Sequence, residues 1–286
     1  MRTTPLTLAI VLSMSTSALA LSARDTADVA TKHSWSVGLF NPMSFSWSND
    51  IELQVHPVFF FMSPHLQTKI SHVTGEDSAW RVSSIWGLSF PYPALIKAPP
   101  LGLKGYFIPT CKVAEAEPER DKWCQSPGWI AVPKVGFMAS KGTTNVVTLQ
   151  IDLAVGTLLA GERPAPLDTY PMLDLQLSPI FNLWRAHGSI RYDYEAFNWL
   201  RTSVETHIYR VGYDTNTERD PWTLAVHGGV DIAVGESSRL TLGVYYWNSD
   251  QRQIAIVENS EGFARVERIR SHDFLPTIDF IWNGTL

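Results

Sequence analysis

The sequence predicts an all-β fold: a single antiparallel up-and-down transmembrane β-barrel of about twelve strands (roughly 10 to 14). Three observations predict it. Beyond residue 33, most of the chain consists of short segments in which every second residue is aliphatic or aromatic. Turn-forming Gly, Asn, Asp and Ser residues separate these segments. Finally, no internal stretch stays apolar over the roughly 20 residues that a membrane helix needs.

The first residues of the chain have the features of a cleaved secretory signal peptide. An apolar stretch from Leu6 to Met14 follows a short basic start, and Ala18 and Ala20 place small residues where signal peptidase recognises its substrate. We therefore expect an exported mature chain that begins near Leu21. The predicted division of the chain is a signal peptide in residues 1–20, a periplasmic lead-in in residues 21–33 and the barrel domain in residues 34–286.

The composition excludes several functional classes. The formal net charge of −5 becomes −6 once the signal peptide and its Arg2 are removed, and such a chain has no basic patch for nucleic acid. The sequence has no Gly-rich phosphate loop and no His-x-x-x-His pair, so no metal and no cofactor is predicted. The 33 aromatic residues, eleven of them Trp, favour contact with a membrane–water interface.

Twelve segments are predicted as strands from their alternation. In residues 147–155, for example, Leu149 and Ile151 share one face while Gln150 and Asp152 lie on the other. Comparable alternation occurs in 222–234, 240–246 and 274–282. The remaining candidate strands are 35–47, 51–61, 66–74, 79–90, 129–138, 170–178, 183–194 and 203–212.

The face opposite the aliphatic one distinguishes a membrane barrel from a soluble sheet. A soluble sheet exposes many charged residues, whereas here the second face is mostly Gly, Ala, Ser and Thr with isolated polar residues. Such a face suits a crowded lumen, and the aliphatic face suits lipid. The tryptophans expected to form interfacial girdles at strand ends are Trp35, Trp80, Trp129, Trp222 and Trp282. A soluble secreted sandwich or lipocalin-like barrel remains the alternative.

Both ends of the barrel domain resemble known outer-membrane proteins. Residues 272–282 alternate aromatic residues like the final strand that the outer-membrane assembly machinery recognises, although the chain continues to Leu286. Residues 35–42 and 50–57 resemble the opening of uncharacterised outer-membrane proteins of myxobacterial type. The resemblance implies a porin-like barrel in the outer membrane of a Gram-negative bacterium. The implied partners are the lipid bilayer and the outer-membrane assembly machinery.

Polar residues on the second face of the strands are expected to line the lumen. They could tune the passage of ions or small solutes, or form a hydrogen-bonded plug that seals the barrel. Charged substitutions should be tolerated better there, as in Asp152→Arg, than on the aliphatic face, as in Ile151→Arg. The predicted lumen-lining residues are Glu52, Gln54, His56, Asp152, Asp174, Arg185, His187, Arg191, His207, His227, Asp231 and Asp279.

His187 and Ser189 are the candidates for catalysis. The His-x-Ser pair is similar to that of outer-membrane lipid A deacylases, which implies a Ser nucleophile activated by a His base. The deacylase barrel is much smaller than this chain, and the acid that would orient His187 stays open between Glu195 and Glu205. The alternative is a pair of polar wall residues without a catalytic role.

Two long connections carry further predictions. Cys111 and Cys124 lie in the Pro- and charge-rich stretch 91–128 and are predicted to form a disulfide after export. With both termini in the periplasm, the predicted strands place the connection 248–271 outside and 91–128 inside. Since long loops of outer-membrane barrels lie outside, one strand is miscounted, and residues 101–109 are a candidate for it.

Three functions are compatible with the sequence. The favoured one is a porin-like passive channel or a structural envelope barrel without catalysis, with small solutes or ions as cargo. The second is an outer-membrane lipid hydrolase that uses His187 and Ser189. The third is a soluble secreted β-barrel that binds a small apolar ligand. Detergent dependence would separate the third from the others.

Overall fold

The computed structural model describes residues 21–57, 60, 63–73, 79–90, 128–161, 163, 178–180, 182–212, 220–258 and 264–286. Several features predicted from the sequence lie outside these residues: the signal peptide, Cys111 and Cys124, Asp174, the candidate strand at 101–109 and, except for Ser178, the candidate strand 170–178. In the described part of the chain, no helix is both long and apolar enough to cross a membrane.

Thirteen strands form within these residues. Tight turns join several of them, for example at Gly142, whose φ of 98° is rarely adopted by residues with a side chain. The strands are β1 (Ser34–Gly38), β2 (Met43–Ser46), β3 (Ile51–Val55), β4 (His65–Val73), β5 (Arg81–Ser89), β6 (Trp129–Lys141), β7 (Asn145–Val155), β8 (Thr157–Ala160), β9 (Trp184–Phe197), β10 (Leu200–Gly212), β11 (Trp222–Ala233), β12 (Ser238–Glu258) and β13 (Ala264–Thr285).

Twelve of the strands close into an antiparallel barrel. Strands that follow one another in the chain pair from β1 to β7 and from β9 to β13, and β7 pairs with β9. The cylinder closes where β1 pairs with β13. β8 pairs with the start of β6, beside the cylinder. The predicted all-β antiparallel up-and-down barrel of about twelve strands is therefore confirmed.

The predicted strand 35–47 is wrong, because it consists of two strands, β1 and β2, joined by a turn at residues 39–42. This split, together with the direct pairing of β7 with β9, removes the clash between the two long loops. The connections 90–128 and 259–263 both leave the end of the barrel opposite the termini, whereas short turns such as 234–237 lie at the same end as the termini. We call these two ends the loop end and the terminal end.

The wall of the barrel is uneven in height. β1, β2 and β3 have 5, 4 and 5 residues, whereas β12 and β13 have 21 and 22. The strands expected at 240–246 and 274–282 are thus much longer than predicted, and most of the connection expected at 248–271 is strand. The pairing of β1 with β13 runs from Ser34 opposite Thr285 to Gly38 opposite Ile281.

Side chains alternate between the two faces of the wall. Ile151 is 62% exposed on the outer face, whereas the adjacent Asp152 is 6% exposed in the interior. Ser, Thr, Asp, Arg and His side chains are common among the buried residues. Four of the strand-end tryptophans are exposed: Trp80, Trp129, Trp222 and Trp282. An apolar outer face around a polar interior is the reverse of what water favours for a soluble barrel.

Candidate functional site in the barrel lumen

Asp152 of β7 lies at the centre of a cluster of charged groups in the lumen. Its carboxylate is 2.7 Å from Nδ1 of His187, 3.6 Å from the guanidinium of Arg185 and 3.7 Å from Nζ of Lys134. Lys134 belongs to β6, and the other two belong to β9, the strands on either side of β7. The antiparallel register thus brings the cluster together, and its positive groups compensate the burial of the carboxylate.

Six aromatic and imidazole rings stack beside this cluster. The ring of His187 lies 4.5 Å from that of Tyr209, measured between centroids. The ring of Tyr245 lies 4.3 Å from that of His227. The members of the stack, which come from the four adjacent strands β9 to β12, are His187, His207, Tyr209, His227, Tyr245 and Trp247.

The structure does not pair Ser189 with His187. Both ring nitrogens of His187 are engaged, Nδ1 with Asp152 at 2.7 Å and Nε2 with Nδ1 of His207 at 3.2 Å. The side chain of Ser189 interacts with the carboxylate of Glu205 instead. A Ser nucleophile needs a base within hydrogen-bond reach, so this arrangement does not support catalysis by the His-x-Ser pair.

Arg191 of β9 is the centre of a second charged network. Its guanidinium makes a bidentate pair with Asp193, with hydrogen bonds of 2.8 and 3.0 Å. A third nitrogen, Nη1, lies 3.5 Å from Glu205 and 3.1 Å from Asp25. Bidentate pairs between arginine and carboxylate are among the stronger polar contacts in proteins. Through Asp25, this network reaches the segment that precedes the first strand.

Residues 21–28, which we call the N-terminal segment, lie inside the terminal end of the barrel. Arg24 pairs with Asp231 at 2.9 Å, and Asp25 pairs with Arg191 at 3.1 Å. The predicted periplasmic lead-in, residues 21–33, therefore starts inside the lumen that the barrel wall encloses. Partial desolvation inside the barrel raises the pKa of Asp25, whose side chain is still 54% exposed, but the positive charges of Arg191, Arg24 and Lys69 outweigh this effect and hold the pKa of the carboxyl below its ordinary value.

Side chains of the barrel wall also bind the backbone of the N-terminal segment. Arg201 donates to the carbonyl of Leu21 at 2.9 Å, Arg239 to that of Ser22 at 3.1 Å, and Lys69 to that of Thr26 at 3.2 Å, while Oγ of Ser140 accepts from the amide of Ala27 at 2.8 Å. These contacts come from β10, β12, β4 and β6. The segment is thus held from several sides of the barrel.

Two cavities adjoin the N-terminal segment. One of about 860 Å³ lies towards the terminal end and is lined by residues that include Glu52 and Arg81. The other, of about 400 Å³, is lined by residues that include Lys134 and His207 of the charged and stacked clusters. Asp25 borders both cavities, as do Gln54 and Lys69 of the wall, so the segment lies where the two cavities meet.

Asp279 of β13 caps the turn between β1 and β2. Its carboxylate accepts hydrogen bonds from the backbone amides of Leu39, Phe40 and Asn41 at 2.7, 3.2 and 2.7 Å. These amides follow Gly38, the last residue of β1. The carboxylate thus satisfies backbone donors at the point where strand pairing ends.

No family model matches the chain. No curated protein matches it either. Among solved structures, the chain is similar to three forms of OmpT, an outer-membrane protein of Vibrio cholerae. The outer-membrane expressed form has a TM-score of 0.43 and 8% identity over 85% of this chain. The in-vitro folded form has a TM-score of 0.38 and 10% identity, and its trimer form a TM-score of 0.42 and 9% identity, each over 87% of this chain. The chain spans 64% of the length of these proteins.

The described lumen-lining candidates fall into two groups. Those buried in the barrel are Glu52, Asp152, Arg185, Arg191, His207, His227, Asp231 and Asp279. Those partly buried are Gln54, His56 and His187. His56 lies just after β3, and its backbone amide donates to Nε2 of His65 at 2.8 Å. Among the residues that the structure describes, no group of His, Cys, Asp or Glu could hold a metal ion.

Sequence reasoning missed the aromatic half of the site and the N-terminal segment. The period of two could have found the aromatic residues, since Tyr209 lies two residues after His207, and Tyr245 and Trp247 lie on the face opposite the aliphatic residues of their strand. The N-terminal segment shows no such pattern. Arg24 and its partner Asp231 are 207 residues apart in the chain, so no local signal links them.

Proposed function

We propose that this chain is a transmembrane β-barrel of the Gram-negative outer membrane that works, without catalysis, as a narrow porin-like channel for small solutes or ions. The observation that carries the proposal is the combination of an apolar outer face with a polar lumen that contains cavities. A lipid environment favours the first, and an aqueous pathway requires the second. The lipid bilayer and the outer-membrane assembly machinery would be its partners.

The orientation follows from the connections between strands. Outer-membrane barrels have short turns on the periplasmic side and longer loops outside. The terminal end, with turns such as 198–199 and 234–237, would therefore face the periplasm. The loop end would face the exterior of the cell.

The N-terminal segment would close this channel near its periplasmic mouth. Its residue Asp25 lies where the two cavities meet, and the segment is held by the Arg24–Asp231 and Asp25–Arg191 ion pairs. Because both pairs join the segment to the wall, removing them would weaken its attachment without changing a hydrogen bond between strands, although the backbone contacts from Arg201, Arg239, Lys69 and Ser140 would remain. Displacement of the segment would join the two cavities into one pathway.

Single-channel recordings in planar lipid bilayers test this function. We expect a variant that carries both Arg24→Ala and Asp25→Ala, or one that lacks residues 21–28, to have a larger conductance than the wild type. Lys32→Ala is the matched control, because Lys32 lies outside the segment and its side chain is exposed. Equal conductance in all four proteins would show that the segment does not obstruct the pathway. Absence of current in every variant would identify a sealed structural barrel.

The two alternative functions have separate tests. A soluble secreted binding module should stay monodisperse without detergent, whereas a membrane barrel should aggregate. A lipid hydrolase should lose activity in Ser189→Ala. The engagement of both ring nitrogens of His187 away from Ser189 favours the channel over the hydrolase.

Three further predictions belong to this proposal. The signal peptide in residues 1–20 predicts a mature N-terminus near Leu21. The disulfide between Cys111 and Cys124 predicts that mass spectrometry of the exported protein finds no free thiol. The likeness of residues 35–42 and 50–57 to outer-membrane proteins of myxobacterial type also remains a prediction.

A further inference from the structure

The outer face of the barrel carries a groove of about 580 Å³ that crosses β6, β7, β9 and β10. Its floor is formed by Ala186 and Gly188, two small outward-facing residues of β9. The nearest atom to a Cβ added at Gly188 would be 3.9 Å away, so the floor is open. Bulky apolar side chains form the sides of the groove: Phe137, Ile151, Leu153 and Ile208.

Arg210 lies at one end of this groove between two tryptophans. Its guanidinium carbon is 5.8 Å from the ring centre of Trp184 and 5.2 Å from that of Trp222. Trp184 begins β9, Trp222 begins β11, and Arg210 is two residues from the end of β10, so all three lie at the loop end. Within the described residues, no carboxylate lies within ion-pair distance of Arg210. The rings fix the side chain and leave its donors open to an anion.

We propose that this groove binds lipid A, with an acyl chain over Ala186 and Gly188 and a phosphate on Arg210. The inference rests on the membrane location and orientation given above, which place the loop end in the outer leaflet, where lipopolysaccharide is the phosphorylated acyl lipid. The planar guanidinium matches the oxygens of a phosphate, and the contact is charge-assisted. The apolar groove supplies the dispersion and hydrophobic contacts that an acyl chain needs.

Binding of purified lipid A to the detergent-folded full-length barrel, measured by native mass spectrometry, tests the phosphate contact. We expect Arg210→Gln to weaken binding about tenfold or more, as the loss of a charge-assisted contact implies. Lys141→Gln is the matched control, since Lys141 also lies over a tryptophan, Trp80 at 5.9 Å, but at the terminal end. Dephosphorylated lipid A should bind the wild type as poorly as intact lipid A binds Arg210→Gln.

A second pair of variants tests the acyl groove. Gly188→Leu should fill the floor and weaken binding of lipid A by several-fold, because the added side chain would occupy the path of the acyl chain. Gly228→Leu is the control: Gly228 is an exposed residue of β11 outside the groove, with no atom within 4 Å of an added Cβ. Its binding should match that of the wild type.

The possible failures are distinguishable. Equal binding by Arg210→Gln and wild type, or by Gly188→Leu and Gly228→Leu, overturns the site while leaving the channel intact. Phosphatidic acid that competes as well as lipid A overturns the assignment to lipid A. A protein that stays monodisperse without detergent overturns both the membrane location and this inference. Heat-modifiable gel mobility, recorded for each variant, identifies any change that merely prevents folding.

Discussion

Asp152 illustrates how a single lumen residue depends on partners that other strands supply. Asp152→Ala would leave Lys134 and Arg185 without the carboxylate that offsets their burial. Breaking a buried ion pair in this way typically costs about 3–5 kcal/mol. We expect a loss of that size in the free energy of unfolding, measured by urea titration of the protein in detergent micelles.

The control for this prediction is Asp28→Ala. Asp28 also pairs with an arginine, Arg81 at 2.9 Å, but its side chain is 45% exposed, and exposed pairs contribute about 1 kcal/mol or less. Equal losses for the two variants would contradict the assignment of Asp152 as the centre of the cluster. The structure also changes the expectation for Asp152→Arg: it would add a third cation beside Lys134 and Arg185, so it should not be well tolerated.

The N-terminal segment gives the proposed channel a predicted pH dependence. The folded-state pKa of Asp25 is lowered from its ordinary 3.8. Its stabilising contribution is therefore fully present above about pH 3.8 and is lost as the pH falls through the lower, folded-state value. We expect constant conductance from pH 8 to about 5 and a rise only in strongly acidic solution. There Asp25 loses its charge, and the N-terminal segment therefore loses its ion pair with Arg191.

Asp25→Asn tests this dependence, since it should conduct at neutral pH as the wild type does in acid. The charged and titratable groups that face Asp25 are Arg24, Lys69, Arg191, Asp193, Glu205 and His227. A rise in wild-type conductance already between pH 7 and 6 would contradict the role of Asp25 and implicate Glu205, which pairs with the same Arg191, instead.

The turn between β1 and β2 explains why one strand was miscounted. Asn41 and Pro42 are turn-forming residues, but Leu39 and Met43 on either side of them continue the apolar alternation and so make the two strands look like one. The turn forms because Asp279, about 240 residues away in the chain, accepts hydrogen bonds from its amides. Alternation is a local property and could predict the strands, whereas a cap supplied by the last strand could not be predicted from the turn itself.

The lumen shows the same limit. The period of two assigned Asp152, His187 and His207 to the inner side of their strands, because the geometry of a strand fixes which side chains share a face. The alternation could not predict that Asp152 contacts His187 rather than another basic side chain in the lumen. That contact depends on the register between β7 and β9, which are separated in the chain by β8 and by residues 161–183.

At the scale of the whole molecule, the apolar outer face predicts a clear asymmetry between positions. Ile151→Arg places a charge on a strongly exposed position of that face, which would cost roughly 2–4 kcal/mol near the midplane of a bilayer. Thr202→Arg, on the same face but close to the turn at the terminal end, should cost about 1 kcal/mol or less. Folding yields in lipid vesicles measure this difference. Similar yields for the two variants would contradict insertion in a bilayer.

The low wall formed by β1, β2 and β3 has a consequence for the surrounding lipid. Five residues of strand extend over about 16 Å, well short of the roughly 25 Å of apolar band that outer-membrane barrels present. The apolar turn that carries Leu39, Phe40 and Met43 adds height on this side, yet in the proposed membrane location the hydrocarbon layer would still have to thin there to meet the protein. Such thinning costs fractions of a kcal/mol per Å. A second barrel that shares the same thinned patch would reduce this cost, so the lipid itself would draw copies of the chain together along this side.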